Sequence, residues 1–278
     1  MVQVPEIALN DGNTIPQLGF GVWRLEDDKA PEVVGAALDA GYRHIDTAEG
    51  YSNEGGVGEA IKNSGLARED VFVTSKLRNG AHERDQALAA FDKSLELLKL
   101  DYLDLFLIHW PVPQQDKYVE AWKTLIELKE QGRVKSIGVS NFLPEHLERI
   151  QRETGVTPAV NQIELHPYYQ ERGNRTLHAE NQIAIESYSP LGSGAVLGDE
   201  TIAEIGKAHG KSVAQVIIRW HLQQGLIVLP KTATVSRVPE NFDVFDFELS
   251  PDDMSKIDAL DKPDGKTLPT SDKMNNTF

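Results

Sequence analysis

Two apolar strand patterns flank residues 82–98: Val71-Phe72-Val73-Thr74-Ser75-Lys76 on one side and Leu103-Asp104-Leu105-Phe106-Leu107-Ile108-His109 on the other. Within residues 82–98, apolar side chains recur at three- and four-residue spacing, which is the stripe of an amphipathic α-helix. A strand, a helix and a strand joined by short connections require the two strands to run parallel. This unit therefore predicts an α/β fold built on a parallel sheet.

The same alternation continues along the chain and yields eight strand candidates. The other six lie at residues 18–23, 43–46, 134–139, 159–164, 184–188 and 226–230. Eight parallel strands with intervening helices close into a (β/α)8 TIM barrel, a fold that takes about 250 residues. The chain has 278 residues, so we predict one barrel domain over residues 1–278.

The rival architecture is an open, doubly wound sheet, which carries a dinucleotide fingerprint of three glycines. Gly19-Phe20-Gly21 lacks the third glycine, and Gly192-Ser193-Gly194 is followed by Gly198, one residue too far. The barrel is therefore the predicted fold.

Both ends of the chain depart from the repeating pattern. Residues 1–17 contain Asp11-Gly12 between two short apolar runs, which predicts an N-terminal β-hairpin. Two helices precede the last strand where one would suffice, another follows it, and a polar tail ends the chain. These extra elements are predicted at residues 199–209, 212–224, 251–260 and 261–278.

The composition argues against several classes of partner. A net charge of −15 disfavours nucleic acid and anionic membranes, because both need a cationic surface. The absence of cysteine excludes disulfides and thiolate metal sites. No signal peptide is visible, and no apolar run approaches the roughly 18 residues that span a bilayer. We expect a cytoplasmic protein and a monomer, with a dimer left open.

Four ionisable residues stand at predicted strand ends or in the turn that follows: Asp46, Tyr51, Lys76 and His109, at spacings of 5, 25 and 33 residues. The carboxyl ends of barrel strands meet at one rim, so these groups should converge there. Taken singly, Asp46 and Lys76 could be a buried ion pair, Tyr51 a loop aromatic and His109 a rim histidine. Together they favour an enzyme.

The chemistry of this set is acid–base chemistry. An ammonium beside a tyrosine stabilises the phenolate and lowers the tyrosine pKa, and a carboxylate keeps the lysine charged and in place. Tyr51 could then protonate a developing alkoxide, while a neutral His109 orients a carbonyl oxygen. None of the four supplies electrons, so carbonyl reduction would need a hydride donor such as a nicotinamide.

Three longer motifs resemble the signatures of the aldo-keto reductase family, in the family's order. They lie at Gly41–Gly58, Val134–Phe142 and Leu229–Asn241. The pattern is most similar to the bacterial 2,5-diketo-D-gluconate reductase-like branch. The resemblance implies a barrel whose bottom is closed by the hairpin, and NAD(P)H-dependent reduction of aldehydes and ketones, with keto-sugars and keto-sugar acids among the compatible substrates.

The resemblance also implies roles for individual residues. Asp46, Tyr51, Lys76 and His109 match the catalytic tetrad. The residues that match the cofactor site are, from the nicotinamide carboxamide and ring through the pyrophosphate to the 2′-phosphate and adenine, Ser140, Asn141, Gln162, Tyr188, Ser189, Leu191, Ser193, Lys231, Thr232, Arg237, Glu240 and Asn241.

The segment at Lys231, Thr232 and Arg237 bears on the choice of cofactor. A dianionic phosphate is bound well by a point charge, a hydroxyl and a bidentate guanidinium, and this segment has all three. We therefore expect NADPH, with NADH the less favoured cofactor. The alternative is a solvated basic turn.

Three residues are candidates for the substrate pocket. Trp23 and Trp110 are expected pocket aromatics, with packing at the barrel top as the alternative. Arg78 stands where the family often has Trp. If it faces the pocket it could bind a carboxylate or a polyhydroxylated group; otherwise it turns outward into solvent.

Two other functions stay open on the sequence. One is a nicotinamide-loaded regulatory subunit on the same fold with little turnover. The other is a metal-dependent barrel hydrolase, and neither has a positive signal in the sequence. Glu164 and His166 would share one face of a strand end and could suggest a metal. No third ligand with suitable spacing is apparent, so we predict no metal.

Overall fold

The N-terminal hairpin is the first element of the fold. A computed structural model of the protein describes residues 3–274 and residue 276. Strands β1 (Glu6–Ala8) and β2 (Thr14–Pro16) pair antiparallel, and Gly12 occupies the turn with a φ of +89°. A positive φ is adopted readily by glycine because it has no Cβ. The predicted hairpin is confirmed.

Eight parallel strands follow in chain order and form the barrel. Each pairs with the next: β3 (Phe20–Gly21), β4 (His44–Asp46), β5 (Phe72–Leu77), β6 (Leu103–Ile108), β7 (Val134–Ser140), β8 (Val160–Glu164), β9 (Ala184–Tyr188) and β10 (Ile227–Val228). A parallel bridge between Leu18 and Val228 joins the first strand to the last, with Gly19 N donating to Val228 O at 3.0 Å. The predicted (β/α)8 barrel is confirmed.

Among the residues that the structure describes, ten α-helices surround the strands: α1 (Ala30–Ala40), α2 (Glu54–Asn63), α3 (Arg84–Leu98), α4 (Tyr118–Glu130), α5 (Pro144–Thr154), α6 (Arg172–Glu180), α7 (Glu200–His209), α8 (Val213–Gln223), α9 (Arg237–Phe242) and α10 (Pro251–Asp258). Helices α7, α8 and α10 are the extra helices that the sequence predicts. In the described part of the chain, no helix is both long and apolar enough to cross a membrane.

The first and last barrel strands are shorter than predicted. β3 and β10 each have two residues, whereas the sequence predicts strands over 18–23 and 226–230. Pro230 has no N–H to donate and so cannot continue a ladder on both sides. The backbone still makes contact beyond the strands, since Gly21 N donates to Pro230 O at 3.1 Å. Helix α9 was not predicted; it is six residues long and contains Pro239.

The barrel interior is apolar at one end and polar at the other. Leu9 and Ile15 of the hairpin segment pack against inward-facing barrel residues such as Leu105, Leu107 and Ile227. The hairpin therefore covers the amino-terminal end of the barrel and keeps water from it. Nearer the carboxyl ends of the strands, the interior holds the polar groups described next.

Candidate active site

The ends of β4 and β5 bring Asp46 and Lys76 into direct contact. Lys76 Nζ donates to Asp46 Oδ1 at 2.7 Å and to Asp46 Oδ2 at 2.9 Å, and the lysine side chain is fully buried. It also donates to Thr47 O at 2.9 Å and to Tyr51 Oη at 3.3 Å. Tyr51 lies in the 3₁₀ turn Glu49–Tyr51 directly after β4. Three of the four predicted residues thus form one hydrogen-bonded chain.

Burial and the neighbouring charges both act on the pKa values of this hydrogen-bonded group. Burial raises the pKa of Tyr51, and Lys76 opposes the rise while Asp46 adds to it. The net shift of the Tyr51 pKa is upward. The sequence led us to expect a lowered pKa, and only the contribution of Lys76 acts in that direction. Burial by itself would lower the pKa of Lys76, but Asp46 and Tyr51 outweigh it and raise that pKa. Lys76 is therefore a cation at neutral pH.

His109 follows β6 and completes the group. Its ring lies edge-on to Tyr51 with 5.6 Å between the ring centroids. Burial and the nearby Lys76 hold the pKa of His109 well below its ordinary value. The ring is therefore neutral at pH 7, as the sequence argument requires for a hydrogen-bond donor to a carbonyl oxygen.

A second polar layer lies beneath the lysine. Gln162 Nε2 of β8 donates to Asp46 Oδ2 at 2.8 Å and to Glu186 Oε2 of β9 at 2.5 Å. Glu186 is fully buried, and its Oε1 lies 3.4 Å from His44 Nε2. Neither Glu186 nor His44 was predicted as a site residue from the sequence. The available signal was a carboxylate and an imidazole at inward-facing positions of short, otherwise apolar strands.

One open cavity of about 910 Å³ connects the tetrad to the C-terminal third of the chain. Asp46, Tyr51 and His109 line it. All twelve residues predicted for the cofactor line it as well: Ser140, Asn141, Gln162, Tyr188, Ser189, Leu191, Ser193, Lys231, Thr232, Arg237, Glu240 and Asn241. Trp23 and Trp110 line it as well. Lys76 stays behind Asp46 and Tyr51, inside the barrel wall.

The far end of the cavity is cationic. Lys231 and Arg237 line it together with Arg24, a residue that the sequence analysis did not single out. Burial and the neighbouring Arg24 lower the pKa of Lys231. An anion bound beside Lys231 would stabilise the charge of this lysine, which burial and Arg24 disfavour.

The segment after β9 also lines the cavity. Ser189 and Ser193 have φ values of +47° and +52°, and Gly192 and Gly194 are also left-handed. Left-handed turns of this kind direct successive backbone N–H groups to one side and make concave anion sites. Tyr188 Oη donates to Asn141 Oδ1 at 2.7 Å, which joins this segment to the end of β7.

Arg78 does not line the cavity. Its Nε donates to Glu49 Oε1 at 2.9 Å, and 38% of its side chain is exposed. The structure therefore favours the outward alternative over a role in the substrate pocket. The reason is local: Glu49, in the 3₁₀ turn that also holds Tyr51, provides a carboxylate on the outer side of the rim.

Glu164 and His166, the pair considered for a metal, serve the C-terminal segment. His166 Nε2 lies 3.1 Å from Glu164 Oε1, and Glu164 accepts from Thr267 N at 2.6 Å and from Leu268 N at 3.0 Å. The predicted polar tail is thus fastened to the barrel rim over its described residues. Leu268, Pro269 and Met274 form one wall of the cavity, which the sequence analysis missed.

Comparison with known proteins gives concordant matches. The model of the aldo/keto reductase family matches residues 17–262. An aldo-keto reductase of Mycolicibacterium smegmatis is 54% identical over 95% of both chains, and the methylglyoxal reductase DkgA of Escherichia coli K12 is 50% identical over 94% of both chains. A crystal structure of a Gox0644 mutant in complex with NADPH has a TM-score of 0.95 and 49% identity, covering 98% of this chain and 99% of that one.

These matches extend over nearly the whole chain and agree with the barrel, the hairpin and the three motifs. The chain belongs to the aldo/keto reductase family of oxidoreductases.

Proposed function

We propose that the protein uses NADPH to reduce small, neutral aldehydes and ketones to alcohols, with Tyr51 as the proton donor. The observation that carries the proposal is the contact of Lys76 Nζ with both Asp46 and Tyr51 at the inner end of a cavity whose outer end is cationic. The contact between Lys76 and Tyr51 suits a proton donor, and the cationic end of the cavity suits the phosphates of a nicotinamide cofactor.

The chemical groups that line the cavity suit the successive parts of NADPH. Gln162 uses both amide hydrogens on carboxylates, so its Oε1 remains as the acceptor for the carboxamide of a nicotinamide. Ser140 and Asn141 lie beside it, and the ring of Tyr188 offers a flat stacking surface. The left-handed segment at Ser189, Leu191 and Ser193 would receive the pyrophosphate.

The outer end would hold the adenosine portion. Lys231, Thr232 and Arg237 would bind the 2′-phosphate, and Glu240 and Asn241 would border the adenine. A phosphate between a lysine and an arginine makes charge-assisted hydrogen bonds that NADH, which lacks it, cannot make. This is the basis for preferring NADPH. When bound, NADPH supplies the hydride.

The residues of the chain handle the proton and the orientation of the carbonyl. His109, neutral at pH 7, donates to the carbonyl oxygen and holds it next to Tyr51. As negative charge develops on that oxygen, Tyr51 Oη transfers its proton to it. Lys76, at 3.3 Å, stabilises the resulting phenolate, and Asp46 keeps Lys76 charged and in position.

The walls of the cavity near the tetrad bear on the substrate. Trp23, Trp110, Leu268, Pro269 and Met274 are aromatic or apolar. The cations among the described lining residues are Arg24, Lys231 and Arg237. Arg24 lowers the pKa of Lys231, and its guanidinium carbon lies 4.2 Å from the centre of the Trp23 ring, so it is stacked on one of these walls. Because Arg24 is already stacked on Trp23 and faces Lys231, a carboxylate near the tetrad would lose water without gaining a cation of its own, which is unfavourable. Neutral carbonyls are therefore favoured over keto acids, in line with the name of the methylglyoxal reductase relative.

The experiment is to measure NADPH oxidation by the native protein and by Tyr51→Phe against butane-2,3-dione and pyruvate. These present the same methyl ketone beside either an acetyl group or a carboxylate. We expect kcat/KM to be at least about tenfold higher for the dione, because an unpaired buried charge is disfavoured. Tyr51→Phe should lower kcat by about 10² to 10⁴ and leave NADPH binding intact.

Other outcomes would count against the proposal in distinct ways. Equal turnover by Tyr51→Phe would remove Tyr51 from the role of proton donor. Faster reduction of pyruvate would overturn the preference for neutral substrates. NADPH binding without turnover of methylglyoxal, aryl aldehydes or keto-sugars would favour the regulatory alternative.

A further inference from the structure

A second carboxyl group lies beneath the tetrad and has no role in the mechanism above. Glu186 on β9 is fully buried, and it shares the amide nitrogen of Gln162 with Asp46, at 2.5 and 2.8 Å respectively. A primary amide has two hydrogens, so both are committed, one to each carboxyl group. Gln162 therefore couples Glu186 directly to the acid that holds Lys76.

The charges around Glu186 do not balance if it is ionised. The titratable groups that face it are His44 and Asp46 from β4, Lys76 from β5 and Tyr51 from the turn after β4. On its other side, β10 places the apolar Ile227 in register with it. Lys76 is the cation of this set and is already in contact with Asp46. An anionic Glu186 would be a second buried negative charge that shares the single cation Lys76 with Asp46, so one of the two negative charges would be left uncompensated, which is unfavourable.

The ring of His44 points to the same protonation state. His44 Nδ1 lies 3.4 Å from Pro16 O, which can only accept, so that nitrogen carries the hydrogen. Burial lowers the pKa of His44 to about 3, so Nε2 is an acceptor. That acceptor faces Glu186 Oε1 at 3.4 Å. Thr74 Oγ1 lies closer to this nitrogen, at 3.1 Å, so the contact with Glu186 is not its hydrogen bond, but a lone pair that faces Oε1 still disfavours a carboxylate there.

The ring cannot turn away from this arrangement. A Cβ added to Gly19 would lie 2.6 Å from His44 Nδ1, so the backbone of Gly19 packs directly against the imidazole. His44 Nε2 also lies 3.1 Å from Thr74 Oγ1. The position of the imidazole is therefore set by contacts from three segments of the barrel.

We propose that Glu186 is a positioning residue for the reaction: it is a neutral carboxylic acid at pH 7, and its ionisation at alkaline pH adds a negative charge beneath Lys76 that makes Tyr51 a weaker acid. This inference rests on the proposed function, because it assigns Glu186 an effect on the proton donor. Burial, followed by the charge of Asp46, raises the pKa of Glu186 to about 8, which locates the change within a measurable range.

The effect on the two directions of reaction follows from the sign of the charge. An ionised Glu186 raises the pKa of Tyr51, so it slows proton donation to an alkoxide. It also suppresses the tyrosinate that alcohol oxidation needs. Above pH 8, removal of this charge should therefore speed carbonyl reduction, and it should allow alcohol oxidation to rise at a lower pH than in the native protein.

The variant Glu186→Gln tests this directly. Its carbonyl can accept from Gln162 and its amide can donate to His44, so it reproduces the neutral acid without the ability to ionise. We expect a transition in kcat near pH 8 in the native protein and its loss in the variant. At pH 9 the variant should form about tenfold more tyrosinate than the native protein. A nearby buried charge of this kind shifts the pKa of a neighbouring acid by about one unit, which is a tenfold change in the ionised form. The control is Glu54→Gln, a buried glutamate bonded to Ser75 instead, in which the transition should remain.

Two further measurements do not require turnover, so they separate this inference from the proposed function. Infrared spectra of the native protein should show the C=O stretch of a carboxylic acid that disappears with a midpoint near pH 8, and Glu186→Gln should lack it. The native free energy of unfolding should fall as pH rises from the ordinary glutamate value of 4.5 to 8, because the folded state holds a proton that the unfolded state has lost. In the variant this slope should be reduced.

A pH transition that persists in Glu186→Gln would overturn the proposal. So would the absence of an infrared band that depends on Glu186, since the proton would then reside on His44. If Glu186→Gln does not fold, Glu186→Leu provides a second non-ionisable side chain for the same infrared comparison.

Discussion

The two ends of the cavity contain similar numbers of charged groups but use them differently. At the tetrad end, Asp46 and Lys76 lie inside the barrel wall, and their atoms are 2.7 Å apart on adjacent strands. At the phosphate end, Arg237 is exposed at the start of the short helix α9, and Lys231 is only partly buried. Charges of the first kind act at short range in a low dielectric, and charges of the second kind are screened by salt.

This difference indicates which substitutions should be severe. A buried charge that loses its partner is left without water or counter-ion, so stability and chemistry fail together. An exposed cation that is removed leaves the rest of the protein intact, so only the affinity for the ligand changes.

Replacement of Lys76 by Met should be the most damaging change. Asp46 would remain buried without its cation, and we expect a loss of about 3–5 kcal/mol in the free energy of unfolding. Turnover should fall by about 10² to 10⁴, because Tyr51 loses the charge that stabilises its phenolate. Denaturant unfolding and NADPH oxidation measure the two effects. Lys231→Met is the matched control at the other end, and its stability should change by no more than about 0.5 kcal/mol. Comparable destabilisation in both variants would break the contrast.

Replacement of Arg237 by Ala should weaken NADPH binding by about 10- to 100-fold, the usual effect of losing a charge-assisted hydrogen bond to a phosphate. NADH lacks the 2′-phosphate, so its dissociation constant should hardly change. Calorimetric titration at two salt concentrations gives both numbers, and the difference between native and variant should shrink at the higher salt. An equal loss of affinity for both cofactors would show that Arg237 does not contact the phosphate.

Glu164 binds the C-terminal segment that forms one wall of the cavity near the tetrad. Although burial alone would raise it, hydrogen bonds from His166 and Thr267 lower the pKa of Glu164 to about 2. A lowered pKa stabilises the fold above the ordinary value of 4.5, and the contribution is lost as pH falls from 4.5 towards 2.

In Glu164→Gln we expect weaker attachment of the C-terminal segment, a KM for carbonyl substrates raised by up to about tenfold, and an unchanged affinity for NADPH. The difference in unfolding free energy between native and variant should narrow as pH falls from 4.5. Glu180→Gln, an exposed glutamate on α6, is the control and should match the native protein. A KM unaffected by Glu164→Gln would mean that the segment keeps its position without this carboxylate.

The smallest effect is expected at Arg78. Its contact with Glu49 is a partly exposed ion pair, which contributes at most about 1 kcal/mol. Because Arg78 does not line the cavity, Arg78→Ala should change kcat/KM by less than about twofold for both butane-2,3-dione and pyruvate. A selective loss for pyruvate would show that Arg78 reaches the substrate during turnover and would restore the alternative that the sequence left open.

The sequence was most informative where a pattern repeats. Alternating strand and helix patterns determine the barrel, because each short strand must be buried on both faces and the short connections force parallel pairing. The identities of Asp46, Tyr51, Lys76 and His109 also follow from the sequence, since ionisable residues at the ends of apolar strands have few structural uses. The bounds of the first and last barrel strands, β3 and β10, were predicted less well, because their pairing depends on single backbone contacts around Pro230.

What the sequence alone determined was therefore the barrel and the kinds of chemical groups at its rim. Tertiary structure decided which groups touch. Gln162 and Asp46 are 116 residues apart, yet one hydrogen bond joins them and extends the tetrad to Glu186. Arg78 forms an ion pair with Glu49 outside the cavity. Glu164 binds the C-terminal segment, which forms one wall of the cavity. The physical reason is that local patterns fix the direction in which a side chain points, whereas burial, partner and pKa depend on the segments that meet it.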